Sequence, residues 1–460
     1  MVHGRWPAGD PLRAALRPTR ARSEPNSWAY AAAAIVVCLA GLIARLWQLG
    51  QAPNTLNADE LVAIRLAGQI FAGHGPGVFA LDPNGQLAIS GYLQALCLYL
   101  FGDQAWVVRL PAALLGAAAL PCFLLVARQL VRPWPALGAT VLYGSSIYSL
   151  SVARSGWTND FAAPLELLAI WLMIRSFTSE RMALPLASGM ACALAAYGYA
   201  PFRLLAAGMV PTLVLTGGPT MHDRTRRARR WLLGYAPLIC PLTIALALQH
   251  DALRGYVAFH QINSRLPEYP PHTAAAWILI RQAWTVVVGL VLMIPGQVAN
   301  LDLEHVPVGR WLLDGPALVL YWLGLWRLAG YRRLDGGDPL RRSGALWAWL
   351  LVGQVLLAEV LVRDSPSLHP AMAAYPIYLL VCAQGLDVLG RLPFHGGWVV
   401  PAALVLVSLI DSGRAYTGWV NSPAAMQARH LSGAPVCVPS PHVLLGPCLG
   451  GADPGLRYRP

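Results

Sequence analysis

The chain has 460 residues, 56% of them hydrophobic and only 12% charged, which excludes an ordinary soluble globular protein because the apolar residues gather into runs long enough to cross a bilayer. The formal net charge of +12 comes entirely from arginine, since the sequence holds no lysine. These arginines sit in short links between apolar runs rather than on a basic face interleaved with aromatics, which argues against nucleic-acid binding and follows the positive-inside pattern of polytopic membrane proteins.

Residues 1–27 carry Arg5, Arg13, Arg17, Arg20 and Arg22 without apolar periodicity and read as a disordered cytoplasmic leader. Trp28 to Trp47 forms the first expected span. It is long, bounded by tryptophan and lacks an obvious small-residue cleavage site, so it reads as an uncleaved helix rather than a signal peptide, and its far end places Asp59 and Glu60 outside the cytoplasm. Between 48 and 104 the chain is punctuated by Pro53, by Gly73 to Gly77 and by Asp82-Pro83-Asn84-Gly85. Two amphipathic pieces, at about 59–72 and 87–101, are expected to lie in the outer interface.

Further spans are expected at about 105–127, 134–152, 160–177, 183–200, 201–217 and 231–249. Arg128 and Arg132, Arg175 and Arg181, and the cluster from Arg224 to Arg230 then fall on one side, and the loop from Arg154 to Asp160 on the other. The apolar stretch 276–294 is long enough to span, but counting it would put Arg332, Arg333, Arg341 and Arg342 outside. Residues 250–313 therefore read as one external loop containing a membrane-hugging helix, followed by spans near 314–330, 344–362, 370–390 and 397–412. The expected architecture is an all-α polytopic membrane protein with about eleven transmembrane helices, a cytoplasmic N-terminus and an external tail over 413–460. Cys38, Cys97, Cys122, Cys192, Cys240 and Cys382 lie in apolar segments without metal-ligand spacing, whereas Cys437 and Cys448 lie in the polar tail, where a disulfide is open if the tail is external.

This topology gathers the polar residues on the external face: Asp59, Glu60, His74, Arg154, Asn159, Asp160, Tyr197, Tyr199, Arg203, His250, Asp251, His260 and Arg265. Asp59 and Glu60 start an amphipathic piece, where acids also serve simply as helix caps and dipole partners. Asp160, at the mouth of the next outward-running span, supplies a second acid, so that one carboxylate is available to deprotonate an acceptor hydroxyl while another orients it or helps hold a divalent cation. Arg154 and Arg203 suit a lipid phosphate, with snorkelling or a salt bridge as the alternative. Asp59, Asp160 and His250 are the candidate metal ligands, although the spacing of ten between His250 and His260 matches no compact motif. Glu166 and Glu359 stand inside spans, either as functional groups or as hydrogen-bonded structural acids. A proton-coupled transporter or flippase would place such groups at midplane in broken helices; it is the runner-up reading.

The order of these features resembles the GT-C membrane glycosyltransferases, in particular the branch containing protein O-mannosyltransferases and the aminoarabinose transferases of lipid A. The resemblance rests on Asp59-Glu60 after the first span, Leu100-Phe101-Gly102 with Trp106 and Arg109-Leu110-Pro111, Ser151-Val152-Ala153-Arg154 leading to Asp160, and Tyr197-Gly198-Tyr199 with Arg203. It covers about 28–410 and implies a transmembrane catalytic domain over 28–412, with external loops at 48–104 and 250–313. It further implies an inverting hexosyl- or pentosyltransferase of the plasma membrane, facing outside, with a polyprenyl-phosphate sugar as donor and a glycan, glycolipid or protein as acceptor. By that likeness Asp59 is the catalytic base, Glu60 and Asp160 assist it or bind a cation, and Arg154, Tyr197, Tyr199, Arg203 and Arg265 contact phosphate or sugar. His369, in Asp364-Ser365-Pro366-Ser367-Leu368-His369-Pro370, stands where related chains often carry arginine and replaces it only when protonated.

Overall fold

The computed structural model describes residues 27–51, 58–80, 87–102, 104–156, 162–177, 179–198, 202–203, 205–216, 220–249, 275–287, 312–330, 374–391 and 398–422. Every regular element of any length among them is a helix: α1 (Ser27–Leu46), α2 (Ala58–Phe71), α3 (Ile89–Phe101), α4 (Ala105–Leu130), α5 (Pro133–Ser145), α6 (Ile147–Arg154), α7 (Ala162–Phe177), α8 (Ala183–Ala195), α9 (Leu205–Thr216), α10 (Met221–Leu248), α11 (Ala275–Val286), α12 (Gly315–Gly330), α13 (Tyr375–Leu389) and α14 (Val399–Val420). Four of these, α1, α4, α10 and α14, are long and apolar enough to cross a bilayer singly, and α5 with α6 makes a fifth span bent by 52°. Apolar side chains such as Ile35, Val36, Leu39 and Ile43 on α1 and Leu406, Val407 and Ile410 on α14 point away from the protein, as hydrocarbon rather than water outside the bundle allows.

Ten of the eleven expected spans contain a described helix, and 344–362 lies outside the described residues, as do the tail cysteines Cys437 and Cys448. Helices α2 and α3 form where the two amphipathic pieces are expected, and α11 overlaps the apolar stretch 276–294. Two spans run longer than their apolar cores. α10 starts at Met221, ten residues early, because Thr220 caps it by accepting from the Asp223 amide at 3.1 Å while its own hydroxyl donates to that carboxylate. α14 continues to Val420, beyond the expected end at 412, because Trp419 and Val420 find a buried contact beside Tyr416.

The expected span at 134–152 is broken. Gly144-Ser145-Ser146 falls at its middle, a composition that kinks helices, and Ser146 adopts extended ψ before its hydroxyl oxygen accepts from the Ser149 amide to start α6. Central to the bundle is α4, which contacts α1, α2, α3, α5, α6, α7 and α13. Two helix pairs approach through reciprocal glycines: Cβ atoms on Gly189 and Gly234 would stand 2.1 Å from carbonyl oxygens of α10 and α8, and on Gly324 and Gly385 2.0 Å from those of α13 and α12. Such small residues let backbones approach where lipid offers no hydrophobic drive to association.

At one end of the bundle lie the C-terminus of α1, the α2–α3 pair, the start of α4 and the end of α6. At the other, Asp387 on α13 joins Arg132 between α4 and α5, Arg327 on α12 and Arg391.

Candidate active site

The acid pair opens α2. Asp59 is the second residue of that helix and Glu60 the third. The Glu60 side chain is only 1% exposed and receives Arg109 Nε at 2.5 Å, Arg109 Nη2 at 3.2 Å and the Gly156 amide at 3.1 Å. Arg109 also donates to the Leu49 carbonyl at 2.9 Å. Gly156 is held on its other side as well, its carbonyl accepting from Gln94 Nε2 at 2.5 Å. A buried carboxylate is tolerable only with such pairing and saturation. One junction thus ties together the turn after α1, the first turn of α2, the first turn of α4 and the residue that opens the loop after α6.

Arg154 ends α6 and is buried. Its Nη1 donates to the carbonyls of Ala44 and Arg45 at 2.8 and 3.1 Å, its Nη2 to Gln48 at 3.2 Å, and its Nε to the Tyr416 hydroxyl at 2.6 Å, with the guanidinium also 5.6 Å from the Tyr416 ring centroid. The last carbonyls of a helix have no intrahelical partner, and a cation there also meets the negative end of the helix dipole; Arg154 therefore caps α1. Arg45 of α1 returns the arrangement, donating to Gly144 O at 3.2 Å, a carbonyl freed by the α5–α6 break, and to Ser149 Oγ at 2.7 Å. Arg154 of α6 thus caps α1, and Arg45 of α1 caps α5.

On the neighbouring side of the same end, the Tyr197 hydroxyl donates to the Leu238 carbonyl at 2.5 Å, and its ring meets Phe79 at 5.8 Å. Arg203 Nε donates to Ala196 O at 3.3 Å, and Gln249 Nε2 reaches Phe79 O at 2.8 Å. The segment after α2 is thereby seated on α8 and α10, so the α2–α3 pair bridges both halves of this end. His74 lies in that segment.

The structure brings Glu60 and Arg154 to this end, together with the α2 turn that bears Asp59, and seats Tyr197 and Arg203 beside the α2–α3 link. Asp160, Tyr199, His250, Arg265 and His369 lie outside the described residues. Among the described residues no three His, Cys, Asp or Glu side chains converge. Of the intramembrane acids, Glu166 is buried near the start of α7, with neither oxygen hydrogen-bonded to a described residue, and Glu359 lies outside the described residues. Sequence reasoning missed the roles of Arg45, Gln94 and Tyr416. A signal existed for Arg45 and Arg109: each is an arginine inside an otherwise apolar run, which requires a dedicated partner.

Residues 88–245, from α3 almost to the end of α10, match the family described as dolichyl-phosphate-mannose-protein mannosyltransferase. A sequence comparison with curated proteins finds no match. Among solved structures, the Archaeoglobus fulgidus oligosaccharyltransferase in its apo form superposes with a TM-score of 0.54 at 13% identity, over 94% of this chain and 62% of that one. The same enzyme in complex with an inhibitory peptide and a dolichol-phosphate gives 0.53 at 12% identity, over 89% and 56%. With a tethered acceptor peptide it gives 0.51 at 15% identity, over 88% and 55%. The chain thus spans 55–62% of the length of these structures. With an all-helical membrane bundle, a mannosyltransferase-type segment over 88–245 and this superposition, the chain has the fold of the GT-C membrane glycosyltransferases.

Proposed function

We propose that the protein is an inverting glycosyltransferase that moves a hexose or pentose from a polyprenyl phosphate to a hydroxyl on the outer side of a plasma membrane. The observation that carries this reading is the Glu60–Arg109–Gly156 junction, which ties the α2 turn bearing Asp59 to Gly156, four positions before Asp160 in the sequence. Asp160 stands four positions after Gly156, a chain reach of at most about 14 Å, which supports a site shared by the two acids. A dolichol-phosphate bound to the oligosaccharyltransferase of the same fold supports the donor class.

In this mechanism the Asp59 carboxylate takes the proton of the acceptor hydroxyl. The acceptor oxygen forms its bond to the anomeric carbon from the face opposite the phosphate, inverting that centre. The anomeric carbon–oxygen bond breaks with its electron pair leaving on the polyprenyl phosphate. Negative charge grows on that phosphate, and preorganised cations stabilise it most in the transition state. Arg203 and Arg265 are assigned to it, with Tyr197, Tyr199 and His369 contacting phosphate or sugar. Arg154, whose guanidinium is engaged by three backbone carbonyls and Tyr416, contributes a fixed positive charge and holds the frame.

Glu60 is assigned to positioning rather than to the base or metal role, because both its oxygens are engaged. A divalent cation fits the remaining donor types, since Asp59 and Asp160 offer hard oxygen ligands and His250 a nitrogen; bound there, it would supply further neutralisation of the phosphate. Acceptor classes consistent with this site are protein hydroxyls, glycolipids and glycans, and the surrounding partners are membrane lipids.

The test is transfer from a panel of polyprenyl-phosphate sugars to candidate acceptors by the purified protein, with the product detected by mass spectrometry. Asp59→Asn is expected to lose transfer by at least about a hundredfold, the scale of a lost general base, while remaining folded. Equal transfer by both proteins would remove Asp59 from the chemistry.

A further inference from the structure

The N-terminal turns of α10 carry a structural feature that the glycosyl-transfer site does not use. Residues 224, 226, 227, 229 and 230 are all arginine, yet they divide by surroundings. Arg227 is buried and donates to the Ser179 carbonyl at 3.2 Å, and Trp231 is buried where α10 crosses α8 at Gly189. Arg226, Arg229 and Arg230 are exposed, on the side of the helix facing away from Trp231. One turn further along that side come exposed Leu233 at 59%, then Pro237 and Cys240, then Ile244 at 53%. With spacings of three and four residues these form one continuous stripe. It changes from three guanidinium groups to purely apolar side chains within about one turn, or 5.4 Å.

That profile matches a phospholipid standing against the helix, with its acyl chains along Leu233 to Ile244 and its headgroup level with the arginines. Because three cations face one headgroup zone, an anionic headgroup is selected over a zwitterionic one. Guanidinium suits this task because it binds phosphate bidentately and is weakly hydrated. We propose that the exposed face of α10 is a binding site for an anionic phospholipid, held by Arg226, Arg229 and Arg230. The site lies at the end of the bundle away from Glu60, on a helix whose other end meets Phe79 through Gln249, so the lipid also fixes the depth of a helix on which the α2–α3 link rests.

The test is native mass spectrometry of the full chain in detergent with added phosphatidylglycerol or phosphatidylcholine. Wild type is expected to retain phosphatidylglycerol preferentially, and the triple variant Arg226→Gln, Arg229→Gln, Arg230→Gln to bind it at least about tenfold more weakly, given the contribution of each basic residue near an anionic surface. The triple lysine variant should keep most of the preference. Equal retention of the two lipids by wild type, or unchanged phosphatidylglycerol binding by the glutamine variant, overturns the proposal. So does displacement by inorganic phosphate at equal concentration, which would make this an ion site and not a lipid site. Should the glutamine variant not be recovered, wild type decides alone: phosphatidylglycerol retention that does not fall with rising salt is the overturning result.

Discussion

The two ends of α4 hold two buried charge centres that solve different problems. Arg109 and Arg132 are separated by about 35 Å of chain at helical rise. At the Arg132 end a single acid, Asp387, serves three cations, with Arg132 and Arg327 at 2.5 Å and Arg391 at 2.7 Å. All its partners sit in or directly beside helices, so the cluster locks α4, α5, α12 and α13 to one another. At the Arg109 end Glu60 takes Arg109 and also the amide of Gly156, four positions before Asp160 in the sequence. The first centre joins helices. The second ties Gly156, just beyond α6, to the first turns of α2 and α4, as a site assembled from separate segments requires.

Removal of each acid should separate these roles, and the largest effect belongs to Asp387→Asn. The substitution leaves three arginines facing one another around a neutral amide in a site where Asp387 is fully buried. Breaking a buried pair by removing one partner costs about 3–5 kcal/mol, so a pronounced drop in the thermal midpoint of the purified protein is expected, together with low yield. Turnover per folded molecule should be nearly unchanged. A variant that folds normally but transfers no sugar would reverse the assignment of this end as structural.

Glu60→Gln should show the opposite division. The amide keeps a similar shape and still accepts one bond, but the charge on Arg109 loses its partner and the Gly156 amide loses its carboxylate. A displacement of about 1 Å at a reacting centre costs on the order of a hundredfold in rate, so turnover per folded molecule is expected to fall roughly ten- to a hundredfold, mostly in kcat. The pH profile of the remaining activity should keep the ionisation assigned to Asp59. If Glu60→Gln and Asp59→Asn gave the same residual rate, with the same loss of that ionisation, Glu60 would itself belong to the chemistry.

These centres also mark where the sequence was legible. Apolar run lengths located helices in ten expected spans, because burial of backbone in lipid leaves few other solutions. The acid pair at a helix start was legible too. What could not be read was that Glu60 faces a buried cation, because an acid at a helix start carries no local mark of a distant partner. The partner of Glu60 lies 49 residues away and that of Arg132 lies 255 residues away, separations over which no local pattern acts. The break at Ser146 was written locally in Gly144-Ser145-Ser146, but its repair by Arg45 depends on tertiary packing.

Between the two charge centres, the close helix crossings supply a control for packing. Gly385→Ala would put a Cβ atom 2.0 Å from the Leu320 carbonyl oxygen, whereas Gly413→Ala on α14 meets nothing within 4 Å among the described residues. Forcing α12 and α13 apart should cost about 1–3 kcal/mol, and the exposed change should be neutral or stabilising by roughly 0.5–1 kcal/mol through helix propensity. Comparable thermal midpoints for the two variants would deny that α12 and α13 meet backbone to backbone.

The smallest expected effect lies at the cap that joins the ends of α1 and α6. Tyr416→Phe removes the hydroxyl that accepts from Arg154 Nε at 2.6 Å but keeps the ring beside the guanidinium, while the carbonyls of Ala44, Arg45 and Gln48 still hold the other nitrogens. A hydrogen bond from a charged donor contributes about 1.5–3 kcal/mol at most, and water reaching the end of α14 should recover part of it, so a loss near 1 kcal/mol is expected. Tyr416→Leu removes the ring as well and should add about 0.5–1 kcal/mol for the cation–π contact. If the phenylalanine and leucine variants shift the thermal midpoint equally, the ring contributes nothing and the hydroxyl alone anchors Arg154. If neither shifts it, the three backbone carbonyls suffice to fix the arginine, and the capping of α1 by Arg154 of α6 stands without help from α14.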